Sequence, residues 1–193
     1  MAQIKRIGYG QVEPNHLSAQ KTGQIYAQLP AMTATTSQGT TTLTPIAQLE
    51  QGQFLKYNYA GGYAGVTGDG EWMLVYCEEK LYDERKQNHK NFVLRATDFT
   101  DNKIYPRLLK TNIGDIYTTN TFGANTSDSA EVAGLTLDVG DVLDVAATGF
   151  LQKVTASGNT TAFETATVPA FQVVKVYTMP DGKSPGVKLQ RVK

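Results

Sequence analysis

Cysteine and histidine are almost missing from this chain: Cys77, His16 and His89 are the only three among 193 residues. A single cysteine excludes an internal disulfide, and its place at the end of an apolar run predicts a buried, inert thiol. Neither histidine lies near that cysteine or in the spacing of a metalloprotease helix, which argues against zinc. A Cys-His pair would need the fold to bring Cys77 to His89, and Cys77 sits where a core residue belongs. Net charge is missing too, with 18 Lys+Arg against 18 Asp+Glu. A domain that draws in nucleic acid by bulk electrostatics is usually strongly basic, so no nucleic-acid partner is expected. The longest apolar run falls far short of the roughly 18 to 20 residues that span a bilayer, so no membrane partner is expected either. The opening Met-Ala-Gln-Ile-Lys-Arg-Ile has basic residues with no apolar segment behind them, so no secretory signal is expected and assembly in a cytoplasm is. Stretches with helical apolar period are scarce as well.

What the chain does have is Thr, Val, Tyr and Gly, residues suited to pleated strands and tight turns. The expected fold is mostly β: an antiparallel β-barrel or sandwich with at most one short helix and an extended N-terminal arm. The boundary falls near residue 48. Residues 1–48 are punctuated by Gly8, Gly10, Pro14, Gly23, Pro30, Gly39 and Pro45 and include the polar run Thr33 to Thr44. Such a stretch buries too little apolar surface to offset its own ordering entropy. It reads either as a loose terminus or as an arm that orders against a partner, with Ile25, Tyr26, Leu29 and Met32 as anchors. Residues 49–193 read as a single β-rich domain.

Within that domain the stretch Glu71 to Tyr117 holds the only Trp, the only Cys and the densest charge. Trp72-Met73-Leu74-Val75-Tyr76-Cys77 is apolar throughout, which predicts a central strand covered on both faces. Glu78 to Asn91 offers only Leu81 and Tyr82 as large apolar side chains, enough for one anchored turn of surface helix or an ordered loop. Phe92 to Phe99 and Ile104 to Lys110 follow as strands, Pro106 placing the second at an edge or a bulge. Before this stretch, Leu55, Tyr57 and Tyr59 alternate with Lys56 and Asn58 as in a half-buried strand. After it, Thr118 to Glu131 reads as a polar loop, and Leu135 to Val139 and Val145 to Val154 as strands. Phe171 to Tyr177 is expected to pair with Val187 to Lys193 across a loop at Met179 to Gly186. The total is about eight to ten short strands.

A search for chemistry finds little. The glycines of Gly61 to Gly70 lead into Glu71-Trp72 and a strand, where a phosphate loop would end in Gly-Lys-Ser/Thr before a helix, so a hairpin loop is preferred. Asp69 and Glu71 lack the alternating acids of a calcium loop. Ile113-Gly114-Asp115-Ile116 and Val139-Gly140-Asp141-Val142 repeat one pattern 26 positions apart. Two equivalent carboxylates invite an acid-base reading, but Gly-Asp between apolar flanks is also what a turn into a strand requires, and both are read as turns. Glu78-Glu79 and Asp83-Glu84 lie among Lys80, Arg85 and Lys86 and read as a mixed-charge surface. The sequons at Asn125 and Asn159 are read as chance. No cofactor and no metal is expected, and the chain is not expected to be an enzyme. Aromatics remain: Tyr57, Tyr59, Tyr63 and Trp72 could form a sugar-binding platform or a protein interface, although core packing is the commoner use of such residues. The candidate interface is therefore Ile25, Tyr26, Leu29, Met32, Tyr57, Tyr59 and Tyr63.

One resemblance bears on function. The strand Glu71 to Tyr76, then Leu81-Tyr82-Asp83-Glu84-Arg85-Lys86, the aromatic strand from Asn91 to Phe99, Ile104-Tyr105-Pro106-Arg107-Leu108-Leu109 and Gly114-Asp115-Ile116-Tyr117 follow one another in an order similar to that of the auxiliary capsid proteins of tailed bacteriophages, also called decoration or cement proteins. The likeness covers about a third of the chain, while residues 1–48 and 150–193 match nothing of the family. It implies a non-enzymatic structural protein of the virion, assembled in the host cytoplasm, that binds the major capsid protein on the outer face of the capsid and strengthens the lattice. It also implies a homo-oligomer, since many such proteins act as trimers. The competing class is a glycan- or receptor-binding module of a phage tail or baseplate, served by Tyr57 to Trp72.

Overall fold

A computed structural model describes residues 10, 12–22, 25–26, 28–76, 93–123, 137–158, 160–178 and 185–193. The thiol of Cys77, the charged passage 78–91 with Leu81 and Tyr82, His89, Asn125, Asn159 and the loop at 179–184 lie outside the described residues. The order of elements is β1 (Val12–His16), α1 (Ser18–Thr22), β2 (Ile25–Tyr26), β3 (Met32–Ser37), β4 (Thr40–Pro45), β5 (Gln48–Glu50), β6 (Phe54–Asn58), β7 (Tyr63–Gly65), β8 (Trp72–Val75) and β9 (Val93–Arg95). One turn of 3-10 helix (Ala96–Asp98) leads to β10 (Leu108–Leu109), β11 (Ile116–Thr119), β12 (Val142–Val145), β13 (Leu151–Lys153), α2 (Ala162–Thr165), β14 (Ala170–Thr178) and β15 (Pro185–Arg191). The protein is mostly β, and among the described residues helix is confined to single turns.

Two open antiparallel sheets dominate, one in the order β1-β11-β15-β14-β12-β13 and one in the order β2-β10-β8-β6-β7. Of the two architectures the sequence allows, the sandwich is the one formed; neither sheet closes into a barrel. The five-stranded sheet is the middle layer, and its sequence says why. Along β8, Leu74 faces one way and Met73 and Val75 the other; all three are buried. Leu74 joins Phe54 and Leu109 in a core shared with Tyr117, Leu143, Leu151, Phe171, Val187 and Leu189 of the six-stranded sheet. Met73 and Val75 join Leu55, Tyr57 and Leu108 in a second core under Leu49, Ala96 and Ile104. The apolar run is thus covered on both faces, and each leucine so buried contributes on the order of 2 kcal/mol. The rings of Phe54 and Phe171 meet across the sandwich at 5.6 Å.

The repeated Gly-Asp pattern proves to be a repeat in structure. Asn112 to Asp115 and Asp138 to Asp141 are turns with the glycine at positive φ, +92° and +97°, a conformation that favours glycine. In the first, Gly114 N–H donates to the Arg191 carbonyl and Arg191 N–H to that of Asp115, both at 2.9 Å; in the second, Gly140 and Asp141 make the same exchange with Val173 at 2.8 Å. The strands that follow keep the correspondence. Ile116, Tyr117 and Thr118 oppose Gln190, Leu189 and Lys188, while Val142, Leu143 and Asp144 oppose Gln172, Phe171 and Ala170. The two halves meet where Gln172 pairs with Gln190. The outer strands fit as well, Val12 to Pro14 opposing Thr119 to Tyr117 as Leu151 to Lys153 oppose Val145 to Leu143. A local pseudo-two-fold axis therefore runs through this sheet. Because β1 precedes β11 in the chain while β13 follows β12, it is a likeness of register and turn, not of chain order.

Several local expectations change. Fifteen strands are described, more than the eight to ten counted from pattern. The expected loop from Thr118 begins later, because Thr118 and Thr119 belong to β11 and Asn120 and Thr121 are buried. These polar side chains are held by hydrogen bonds, such as Thr121 Oγ1 to the Gln51 carbonyl at 2.7 Å. Leu137 to Val139, expected to be in a strand, lead into the second Gly-Asp turn. Pro106 lies outside the ladder; only Leu108–Leu109 pair, between β2 and β8.

Candidate interaction surface

Six of the seven candidate residues divide into supports and exposed groups. Tyr57 and Tyr63 are buried. Tyr57 packs in the second core, and its hydroxyl accepts the Gln28 N–H at 3.4 Å. Burial pushes the Tyr57 phenol above its ordinary pKa, with the Gln28 N–H acting the other way. Tyr63 is fixed through its hydroxyl by Asn58 Nδ2 at 3.1 Å and Thr67 Oγ1 at 3.3 Å. Its ring lies against Gly61, where a Cβ would come within 2.5 Å of a ring carbon. Of the glycine-rich segment, Gly61 and Gly62 thus lie in the turn of the β6–β7 hairpin, packed on its own tyrosine, and Gly65 ends β7. Leu29 is half-buried against the second core, Met32 is half-buried at the start of β3, and Ile25 pairs with Leu109 in β2.

Tyr26 and Tyr59 are the exposed members, at 37% and 71%. Both lean on Tyr57: Tyr26 meets it edge-on at 5.5 Å and Tyr59 in a tilted contact at 5.4 Å. The result is a row of three rings whose buried centre fixes its two exposed ends. Tyr-Tyr contacts of this geometry are worth about 0.5–1.5 kcal/mol each. Close to the row, Lys110 and Glu71 form an ion pair at 2.8 Å that raises the lysine above its ordinary pKa, chiefly through the hydrogen bond to Glu71. On the other face of the sheet Lys56 Nζ sits 4.7 Å from the centre of the Trp72 ring and donates to the Gly68 carbonyl.

A second exposed element is one the sequence pattern did not single out as structured. β3 and β4 form a hairpin in unbroken antiparallel register, from Met32 opposite Pro45 to Ser37 opposite Thr40. Its turn places Gln38 and Gly39 at φ +49° and +78°. Positive φ at both positions is the type I′ arrangement that matches strand twist. Beyond Ala34 every residue through Pro45 is exposed. One face carries Thr33, Thr35, Ser37, Thr40, Thr42 and Thr44; the other carries Met32, Ala34, Leu43 and Pro45 near its base. The signal available in the sequence was the Thr-x-Thr alternation.

The acids do not converge. Asp115 is buried and accepts from Ser18 N–H, Ser18 Oγ and Asn112 N–H at 3.0, 3.1 and 2.8 Å, which ties α1 to the first turn. Asp141 accepts the Asp138 N–H at 2.7 Å and pairs with Lys153 at 2.6 Å. Burial alone would raise the Asp141 carboxyl, but the Asp138 N–H and Lys153 outweigh it and hold the group below the usual carboxylate range. β11 and β12 are three strand spacings apart, so these turns are separated laterally by about 14 Å. Asp144, also buried, accepts from Gln152 Nε2 and from the N–H and hydroxyl of Thr167. Among the described residues no group of three or more His, Cys, Asp or Glu is placed to hold a metal, and no helix is long and apolar enough to cross a membrane. Comparison with known proteins returned no matching family profile, no matching curated protein and no matching solved structure.

Proposed function

We propose that this protein is an auxiliary capsid protein that binds the outer surface of a tailed-phage capsid through the major capsid protein and stabilises the lattice. The observation that carries the reading is the division of labour among its side chains. Asp115, Asp141 and Asp144 are engaged in holding turns and loops, whereas Tyr26, Tyr59 and the β3–β4 hairpin are presented outward on a braced sandwich. Such a body suits contact with a repeated surface, on which many weak contacts add up. The order of segments from Glu71 to Tyr117 supports the same reading. The stretch supplies β8 at the centre of the middle sheet and, in Gly114 to Tyr117, the turn and first residues of β11.

The exposed Tyr59 and Tyr26 also fit the alternative, a glycan- or receptor-binding module of a tail or baseplate, since aromatic rings stack on sugar faces. Co-sedimentation of the full chain with purified phage capsid shells, run beside a glycan array, separates the two. The proposal predicts saturable binding to shells and none to sugars. Binding to sugars with no retention on shells would replace it with the alternative.

A further inference from the structure

We infer that the β3–β4 hairpin is a self-association arm whose outer edge pairs with the same hairpin of a second copy of this chain. This does not depend on which larger surface the protein binds. Four observations bear on it. First, the two strands form a sheet of their own, exposed on both faces beyond Ala34; a lone two-stranded hairpin is at best marginally stable in water. Second, the arm lacks the devices that protect a free edge. Its register has no bulge, and neither strand carries a charge or an internal proline. Third, no Asp, Glu, Lys, Arg or His occurs between Lys21 and Glu50, in a chain that is 19% charged. An uncharged ribbon meets a copy of itself without repulsion and without stranding an unpaired charge, which contact with an ordinary charged surface would do. Fourth, the hydroxyl face is self-complementary, because a threonine hydroxyl both donates and accepts. On the opposite face, Thr36 and Thr41 already pair in this way across the hairpin at 3.1 Å.

The geometry also selects the edge. The base of β3 lies against β7: Ala31 bridges to Ala64, and a Cβ at Gly65 would come within 2.5 Å of the Met32 carbonyl. Among the described residues β4 is therefore the free side. In an antiparallel ladder closed by a two-residue turn, alternate residues turn their backbone groups outward, here Thr41, Leu43 and Pro45. Pro45, at the base, has no N–H to leave unpaired. Two β4 edges joined antiparallel about a two-fold axis form a closed four-stranded ribbon, an isologous contact that ends at the dimer.

Sedimentation velocity of the full chain over a wide concentration range, with hydrogen exchange on the same samples, tests this. The expected result is a species of twice the 21.0 kDa chain mass, with exchange protection at Thr41 and Leu43 that rises with concentration. The double variant Thr41→Lys/Leu43→Lys places like charges on the edge. It should weaken association about tenfold or more, the factor that about 1.4 kcal/mol represents, with the thermal melt of the body retained. Single Thr33→Val, on the hydroxyl face near β7, leaves the β4 edge intact and should associate as the native chain does. A chain that stays monomeric at all concentrations overturns the inference, as does association that survives both lysines.

Discussion

Tyr117 carries a hydroxyl into the core between the two sheets, where it finds no hydrogen-bond partner among the described residues. Burial drives its pKa well above the ordinary phenol value, with Arg191 acting weakly the other way. The ring packs edge-on against Phe171 at 5.6 Å, so its apolar part is well used. A buried polar atom without a partner costs about 1–3 kcal/mol. Tyr117→Phe should therefore leave stability unchanged or raise it by about 1 kcal/mol, read as a urea midpoint; a clear loss would mean that the hydroxyl has a partner. Asp141 is the opposite case, a carboxylate held below its usual range by the Asp138 N–H and Lys153. Such a group stabilises the fold wherever pH lies above the unfolded value, and that contribution fades as pH falls through the lowered folded value. Denaturation midpoints of Asp141→Asn and the native chain should therefore differ by about 1 kcal/mol near neutrality and converge as pH falls through the lowered folded value. A gap that widens in acid would contradict the assignment.

The Gly-Asp turns test the pseudo-two-fold at the level of elements. Neither Gly114 nor Gly140 has a heavy atom within 4 Å of where a Cβ would sit, so backbone conformation alone sets the cost of a side chain. Gly114→Ala and Gly140→Ala should each lose about 1 kcal/mol, and by similar amounts. Thermal melts that separate the two widely would show that the turns are not equivalent. These turns were legible because glycine, an acid and flanking aliphatics specify them locally; Ile113 and Val139, at 74% and 69% exposure, are the apolar residues at their tips. The central strand Trp72–Val75 and the β14–β15 pairing were legible for a similar reason, since apolar runs long enough to show a period fix both face and register. The β3–β4 hairpin was not, because its alternation is between hydroxyls and small apolar residues, and its turn has Gln38 where Asn or Asp is usual. Buried Thr118 to Thr121 were misread because hydrogen bonds, invisible in a one-dimensional pattern, make their burial tolerable. Of the candidate surface, sequence found the tyrosines but could not say that Tyr57 and Tyr63 support while Tyr26 and Tyr59 project. That distinction depends on strand pairing.

For the whole molecule, the five-stranded sheet contributes to both large cores, so neither core can melt while the other persists intact. Leu74, fully buried between the sheets, probes this: Leu74→Ala should cost about 3 kcal/mol. Trp72 fluorescence and far-ultraviolet circular dichroism should still report one coincident transition, whereas separated midpoints would show two independent units. A braced body with outward tyrosines and an uncharged hairpin is consistent with a protein whose work is contact. Cryo-electron microscopy of tailed-phage particles mixed with this chain tests the proposed capsid role most directly. The account predicts density for the sandwich on the outer face of the shell, bridging neighbouring capsid subunits. Density in the tail or baseplate, or a shell surface without it, would contradict the account.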